Sequence, residues 1–205
     1  MQQERKSTEA RREQILEIAL QIVSEEGIHA LTLRELSVRI GISEAALFRH
    51  FDNKENIVNS LAEWVFNEYL VDEKGGNKEV REELADLMKR QFLKFQRYPQ
   101  VTSVLFQEDI FREYPRAKRI FDDRRKQRSD RIASMIRTAK VNGEIGPDVN
   151  EVVLALIFMG TMRMAVLEWR SAEFAYDLGS QEESIMHEIL KMMPATAPGD
   201  PKRDG

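Results

Sequence analysis

The sequence predicts an all-α fold, and three observations support that prediction. Apolar residues recur with the 3.6-residue period of a helix through most of the chain. Hydroxyl or amide side chains precede these periodic segments, and glycine or proline ends them, as helix caps and terminators do. No stretch alternates strictly enough, or is rich enough in β-branched residues, to form a strand.

Composition narrows the class of protein further. The chain has 205 residues and no cysteine, which excludes disulfides, thiolate nucleophiles and cysteine-ligated zinc. The N-terminus is charged and lacks the apolar core of a signal peptide. The longest apolar run, 152–160, has nine residues, whereas a bilayer-spanning helix needs about 20. We therefore expect a cytoplasmic protein with no membrane partner.

The first two helices have recognisable ends. Thr8 is placed to cap the first helix and Gly27 to end it. Thr32 and Glu35 have the spacing of a capping box, which begins a second helix that Gly41 ends after two turns. The apolar stripe of the first helix comprises Ile15, Leu16, Ala19, Ile22 and Val23.

A third and a fourth helix follow directly. Ser43 can cap a third helix that ends near Phe51, and Asn53 can cap a fourth. The apolar side of the fourth helix comprises Ile57, Leu61, Trp64, Val65 and Tyr69. Four helices therefore occupy about the first seventy residues.

Longer helices fill the rest of the chain. The polar residues 72–78 contain a Gly pair and mark a joint between two subregions. Apolar stripes and closing Pro or Gly residues predict further helices over 80–98, 101–111, 116–142, 148–171 and 180–193. Residues 194–205 are rich in Pro and Gly, so we expect a disordered tail there.

Residues 32–50 have the spacing of a helix-turn-helix unit. A short helix, 32–40, is followed by a turn at Gly41 and a second short helix, 43–50. In such units the second helix enters the major groove of DNA. The small side chains of Ala45 and Ala46 would let that helix approach base edges. The apolar residues that can hold the two helices together are Leu36, Ile40, Ile42, Leu47 and Phe51.

These segments resemble one known family. They are Thr32-Leu-Arg-Glu-Leu, Gly41-Ile-Ser-Glu-Ala-Ala-Leu-Phe-Arg-His-Phe and Asn53-Lys-Glu. Their order and gaps are similar to those of the N-terminal domain of TetR-type transcriptional regulators, and the run SEAALFRHF also resembles the nucleoid-occlusion branch of that family. The resemblance implies a three-helix helix-turn-helix DNA-binding domain at 1–53. It implies a C-terminal helical bundle at 54–193 for ligand binding and dimerisation.

The resemblance also implies which residues contact double-stranded DNA. Helix N-termini and basic side chains would contact phosphates, while the outward side of the second short helix would contact bases. The expected set comprises Thr32, Arg34, Ser43, Glu44, Ala45, Ala46, Phe48, Arg49, His50 and Lys54. Two of them depart from the family pattern. Phe48 replaces a usual tyrosine, which removes a hydroxyl bond to phosphate, and Glu44 adds a negative charge where a basic or neutral residue is commoner.

The charge distribution is unusual for a DNA-binding protein. The whole chain has 31 Lys and Arg against 35 Asp and Glu, a net charge of −4. Residues 1–60 have eight basic against ten acidic residues, so this segment is not basic either. A basic stretch lies instead at 112–140, with eleven Lys and Arg against four acids. This stretch could attract an anionic ligand or be the solvated side of a long helix.

A homodimer is expected from the C-terminal half. Residues 149–169 are apolar on every side, and such a helix fits between its own bundle and a second subunit. Two recognition helices in a dimer would meet successive turns of the major groove, about 34–36 Å apart. The expected interface comprises Val153, Ile157, Ile185, Met186, Ile189 and Leu190. Burial inside a monomer is the alternative.

A ligand pocket is expected in the same half. Seven of the ten Phe and eight of the nine Met lie after residue 78, as suits an adaptable apolar pocket. The expected lining comprises Phe92, Phe95, Phe106, Phe111, Met135, Phe158, Met162 and Trp169. Plain core packing is the alternative for each of them. The identity of the small-molecule effector does not follow from these residues.

Catalytic and metal motifs are not found. There is no P-loop, and His187-Glu188 fails as a zinc motif because Lys191 occupies the second histidine position. We expect no enzymatic activity, cofactor or metal. The family resemblance implies a ligand-responsive transcriptional regulator, a repressor released from a palindromic operator by an apolar or amphipathic effector. The alternatives are a DNA-bound protein that recruits a protein partner, and a helical ligand-binding protein with a vestigial DNA-binding head.

Overall fold

The computed structural model describes residues 8–70 and 78–194, which are helical and contain no strand. The all-α prediction is confirmed. The α-helices of these residues are α1 (Thr8–Glu26), α2 (Leu33–Ile40), α3 (Glu44–Leu47), α4 (Lys54–Tyr69), α5 (Val80–Arg97), α6 (Val101–Leu105), α7 (Pro115–Val141), α8 (Glu151–Ser171) and α9 (Gln181–Lys191). Short 3₁₀ helices at Glu108–Phe111 and Leu178–Ser180 precede α7 and α9.

The described residues form two compact units that alternate along the chain. The N-terminal unit comprises 8–70 and 98–124, and the C-terminal unit comprises 78–97 and 125–194. This differs from the predicted division at residue 53, because α4 packs against α1 and α6 and so completes the first unit. The predicted joint and tail lie outside the described residues, apart from Lys78 and Pro194.

The core of the N-terminal unit is built around α1. This helix buries the predicted apolar stripe together with Leu20. The short helix α6 is buried throughout, and the hydroxyls of Ser24 and Ser103 join it to α1 at 3.2 Å. The Phe121 ring packs edge-on against Phe66, with centroids 5.1 Å apart, and lies 6.1 Å from the Phe111 ring. These contacts hold the segment after Tyr98 on the first four helices.

Helix α5 organises the C-terminal unit. Its first amide, Val80 N, donates to Glu144 Oε2 at 3.0 Å. At its other end, Gln96 Oε1 accepts a hydrogen bond from Gly179 N at 2.9 Å. The helix buries Leu84, Leu87, Met88, Phe92 and Phe95 on one side. Helix α5 also packs against α9 within this unit.

Helix α8 is the most apolar element. Asn150 caps it by accepting from the amides of Val152 and Val153, both at 3.1 Å. By length and composition α8 could cross a membrane, a test that core helices of soluble proteins also pass. Its buried side includes Leu154 and Phe158, and it packs against α9 in the C-terminal unit. We therefore describe α8 as a core helix with one exposed apolar side.

Some predicted helices are shorter than expected. Helix α3 covers Glu44–Leu47 rather than 43–50, because the following amides of Arg49 and His50 bond to carbonyls three residues back, as in a 3₁₀ turn. Predicted helix 101–111 stops at Leu105 and resumes as the 3₁₀ helix. Predicted helix 180–193 begins and ends slightly inside that range, as helix ends commonly do.

Candidate nucleic-acid interface

Local hydrogen bonds define the ends of α2. Thr32 Oγ1 accepts from Glu35 N at 3.0 Å, so the first half of the predicted capping box is formed. The second half is not, because Glu35 Oε1 accepts from Arg39 Nε at 2.7 Å. Gly41 ends the helix with φ of 75°, a left-handed conformation that favours glycine. This glycine lets the chain turn sharply into the next helix.

Helix α3 is short and presents an exposed outer side. Ser43 caps it by accepting from Ala46 N at 3.1 Å. Leu47 is its buried anchor and packs in the core with Leu36 and Phe51. The residues predicted to face DNA are exposed or half-buried: Ser43, Glu44, Ala45, Ala46, Phe48, Arg49 and His50. The Phe48 side chain is 48% exposed on this outer side.

The other predicted contacts flank α3. Thr32 and Arg34 at the start of α2 are exposed. Lys54 begins α4 and is half-buried. Its Nζ donates to Ile28 O at 3.3 Å and lies 5.9 Å from the centroid of the Tyr114 ring. Among the described residues, a single long hydrogen bond thus holds the Lys54 ammonium group.

Arg12 links α1 to the end of the recognition segment, which comprises the Ser43 cap, α3 and the following residues up to Phe51. Its Nη1 donates to His50 O, and its guanidinium carbon lies 4.1 Å from the centroid of the Phe51 ring. Burial lowers the pKa of His50, and the nearby cations Arg11, Arg12 and Arg49 lower it further. The Nδ1 atom of His50 is buried with no hydrogen-bond partner in the described residues. These cations, together with the exposed helix ends, make the region attractive to phosphates.

An ion cluster contains the acidic excess of residues 1–60. Arg39 pairs with Glu25 at 2.6 Å and with Glu35 at 2.7 Å, and it also pairs with Glu26. Three of the ten acidic side chains of this segment are thus bound to one guanidinium. The cluster carries a charge of −2, which equals the net charge of the segment, so the other charged residues balance, with seven basic against seven acidic residues.

The predicted dimer residues do not share one surface. Val153 is exposed, and Ile157, Ile185 and Leu190 are half-buried. Met186 and Ile189 are buried within the single chain. We correct the prediction for those two, because the C-terminal unit uses them in its own core. The exposed apolar residues of α8 that sequence periodicity did not single out are Val152, Leu156 and Met164.

The predicted pocket residues fall into both units. Phe92, Phe95, Phe158, Met162 and Trp169 are buried in the C-terminal unit, where Met135 is half-buried. Phe106 and Phe111 belong to the N-terminal unit, so the expected single lining is corrected. They lie there because the segment that carries them packs with α1 and α4.

Buried polar groups in the C-terminal unit were not anticipated. Gln91 is fully buried and Arg128 almost so, and Arg128 Nη2 lies 3.5 Å from Gln91 Oε1. Glu83, which lies in the same helix as Gln91, has a buried Oε1 with no hydrogen-bond partner in the described residues. Within 8–70 and 78–194, no three His, Asp or Glu side chains are grouped as a metal ion would require. The apolar periodicity of α5 shows which side of the helix is buried, but it does not show that Glu83 and Gln91 lie on that side.

Comparison with known proteins agrees with this site. The model for bacterial regulatory proteins of the tetR family matches residues 15–61. Nucleoid occlusion factor SlmA of Vibrio campbellii is 28% identical over 179 residues, which cover 81% of this chain and 87% of the relative.

Solved structures share the fold. The fatty acid degradation regulator FadR of Bacillus halodurans has a TM-score of 0.75 at 18% identity, over 91% of this chain and 97% of that one. FadR of Bacillus subtilis, in complex with stearoyl-CoA, has a TM-score of 0.73 at 18% identity, over 88% and 98%. The family match falls on the capped helix-turn-helix described above, and residues 15–61 match the tetR family of bacterial regulatory proteins.

Proposed function

We propose that this protein is a homodimeric repressor that leaves a palindromic operator when it binds a small amphipathic effector. The observation that carries the proposal is the capped helix-turn-helix. Ser43 fixes the start of α3, Leu47 anchors it, and Ala45 and Arg49 remain exposed for the major groove. The family resemblance supports the same use of these residues, in a cytoplasmic protein associated with the nucleoid.

The exposed side of α8 supports a dimer. Val152, Val153, Leu156 and Met164 are all exposed and apolar. Positions 152, 156 and 164 are four and eight residues apart, which places them on one side of a helix. Water contact with such a stripe is unfavourable, and a two-fold interface would bury the same stripe from both copies. We propose this stripe, rather than Met186 and Ile189, as the centre of the interface.

The interior of the C-terminal unit supports an amphipathic effector. It combines the buried aromatic residues Phe92, Phe95 and Phe158 with the buried polar pair of Gln91 and Arg128. Apolar walls with a few convergent polar groups are typical of small-molecule sites. FadR of Bacillus subtilis, which shares this fold, was solved with stearoyl-CoA. An acyl chain with an anionic head is therefore a reasonable first probe.

A second candidate function rests on the curated relatives. SlmA of Photobacterium profundum is 26% identical over 175 residues, spanning 81% of this chain and 87% of that protein. The similarity thus extends well beyond the helix-turn-helix. In this second function the DNA-bound protein recruits a protein partner instead of responding to an effector.

Selection of genomic fragments with the purified protein tests both candidates. A repressor should recover a palindrome at a few promoters, and stearoyl-CoA or a related acyl thioester should release it. A recruiting factor should recover sites dispersed over the chromosome, with no release by acyl thioesters. Recovery of no preferred sequence would overturn both proposals and favour a vestigial DNA-binding head.

A further inference from the structure

We propose that the exposed arginines of segment 112–119 extend the DNA interface onto the phosphates that flank the operator. The inference rests on the proposed DNA binding and adds a second backbone contact to it. The sequence alone gave the basic stretch 112–140 no definite role. The structure divides that stretch and assigns residues 112–124 to the unit that contains the helix-turn-helix.

Two contacts place this segment beside the predicted phosphate-binding residues. The Tyr114 ring lies 5.9 Å from Lys54 Nζ, at the start of α4. Glu113 Oε2 lies 4.0 Å from His29 Nδ1, in the connection between α1 and α2. Helix α2, with Thr32 at its cap, begins just after that connection. DNA phosphates are expected at the starts of α2, α3 and α4. The segment therefore adjoins two of these helix ends, those of α2 and α4.

The segment has a strong positive charge. Residues 112–119 contain Arg112, Arg116, Lys118 and Arg119 against the single acid Glu113. Lys118 pairs with Asp122 at 2.6 Å. In the part of the chain that the structure describes, no ion pair or hydrogen bond engages the side chains of Arg112, Arg116 or Arg119, and all three residues are exposed.

On a helix face that only contacts solvent, we would expect each cation to pair with an acidic residue one turn away. Farther along α7, Lys126 pairs with Asp130 four residues later. Asp123 follows Arg119 at the same spacing, but no ion pair joins them within the described residues. The cations in the first turn of α7 lie at the positive end of the helix dipole, where a positive charge does not stabilise a helix. This turn contains no acidic residue that would offset them. A phosphate strand would supply the missing negative charge.

Salt-dependent DNA binding by a triple variant tests this inference. The variant is Arg112→Ala/Arg116→Ala/Arg119→Ala in the full chain. The control is Lys89→Ala/Arg90→Ala/Lys126→Ala, which removes the same charge from exposed positions of the C-terminal unit. The probes are duplexes carrying the sequence recovered by genomic selection, either alone or lengthened by about 10 base pairs on each side, one helical turn. Circular dichroism confirms that each variant is folded.

Removal of one phosphate-binding cation should reduce the slope of log K against log salt by about 0.9. Because the three cations are removed from both subunits of the proposed dimer, we expect the triple variant to lower the slope by about 5 on the longer duplex and to bind the shorter duplex like the wild type. The control should match the wild type on both. If the triple variant also matches the wild type on the longer duplex, the inference is overturned while the proposed function stands. If the wild type binds neither duplex, both fail.

Discussion

The guanidinium carbon of Arg12 lies 4.1 Å from the centroid of the Phe51 ring, while Nη1 of the same side chain donates to the carbonyl of His50. Arg12 belongs to α1, and the two residues that it contacts lie at the end of the recognition segment. One side chain thus fixes the end of the helix-turn-helix relative to the helix that supports it. Both contacts depend on the planar, multiply donating guanidinium group.

Replacement of Arg12 tests the importance of this link. Arg12→Ala should lower the free energy of unfolding by about 2 kcal/mol, the combined scale of a cation–π contact and one hydrogen bond. It should also weaken duplex binding, because the His50 backbone loses its tether. Urea denaturation and a fluorescence anisotropy titration measure the two effects. Arg12→Lys keeps the charge but lacks the planar group, so it should recover only part of each effect. Wild-type stability in Arg12→Ala would refute the link.

Phe48 is expected to limit the affinity for DNA. Its ring is exposed on the outer side of α3 and has no hydroxyl to offer a phosphate. Phe48→Tyr should therefore tighten duplex binding by the dimer about 30-fold, the value of one net hydrogen bond near 1 kcal/mol in each of the two subunits. Phe48→Leu, which also lacks the hydroxyl, serves as the control and should not tighten binding. An affinity for Phe48→Tyr no higher than that of the wild type would contradict the expected position of this ring.

Stability in acid should depend on Glu151. A hydrogen bond from its own backbone amide, and the side chains of Lys140 and Arg137, lower the pKa of Glu151 from 4.5 to about 2. Its ionised form therefore stabilises the folded chain above pH 4.5, and the stabilisation is lost as the pH falls through the folded pKa of about 2.

Urea denaturation of Glu151→Gln at several pH values checks this expectation. The variant should be less stable than the wild type at neutral pH, and the difference should shrink as the pH falls from 4.5 to about 2, where half of the wild-type carboxylate is protonated. Glu168→Gln, at an exposed position of the same helix, is the matched control. A difference between Glu151→Gln and the wild type that is independent of pH would show that charge plays no part.

The oligomeric state should depend on Leu156. This side chain is 67% exposed at the centre of the apolar stripe on α8. Leu156→Asp should convert a dimer to a monomer in sedimentation experiments, because burial of an unpaired carboxylate in the interface is costly. Val141→Asp places the same charge on an exposed apolar position of α7 and should leave the dimer intact. A dimer that survives Leu156→Asp would place the interface elsewhere.

Local patterns predicted the helix-turn-helix well. Thr32 and Ser43 accept the capping bonds expected of them, and Gly27 and Gly41 adopt the left-handed conformation that ends a helix. Such features depend on residues only a few positions apart. Local sequence therefore holds nearly all the information needed for them.

Features that depend on distant residues could not be predicted in this way. The stacking of Arg12 on Phe51 and the position of Tyr114 beside Lys54 join residues far apart in the chain. The same limitation applies to the buried state of Met186, because an amphipathic stripe shows which side of α9 is apolar but not what covers it. The division of α7 between two units likewise follows from tertiary packing alone.

The central claim is that the exposed side of α3 and the start of α4 bind duplex DNA. The most direct test is an anisotropy titration of the operator duplex with the wild type and with Arg49→Ala/Lys54→Ala. The affinity of the wild type should fall steeply as salt rises from about 50 to about 200 mM. The double variant should bind more weakly. Its slope of log K against log salt should be smaller by about 0.9 for each phosphate that is no longer neutralised. Equal affinity and equal salt dependence for the two proteins would contradict the claim.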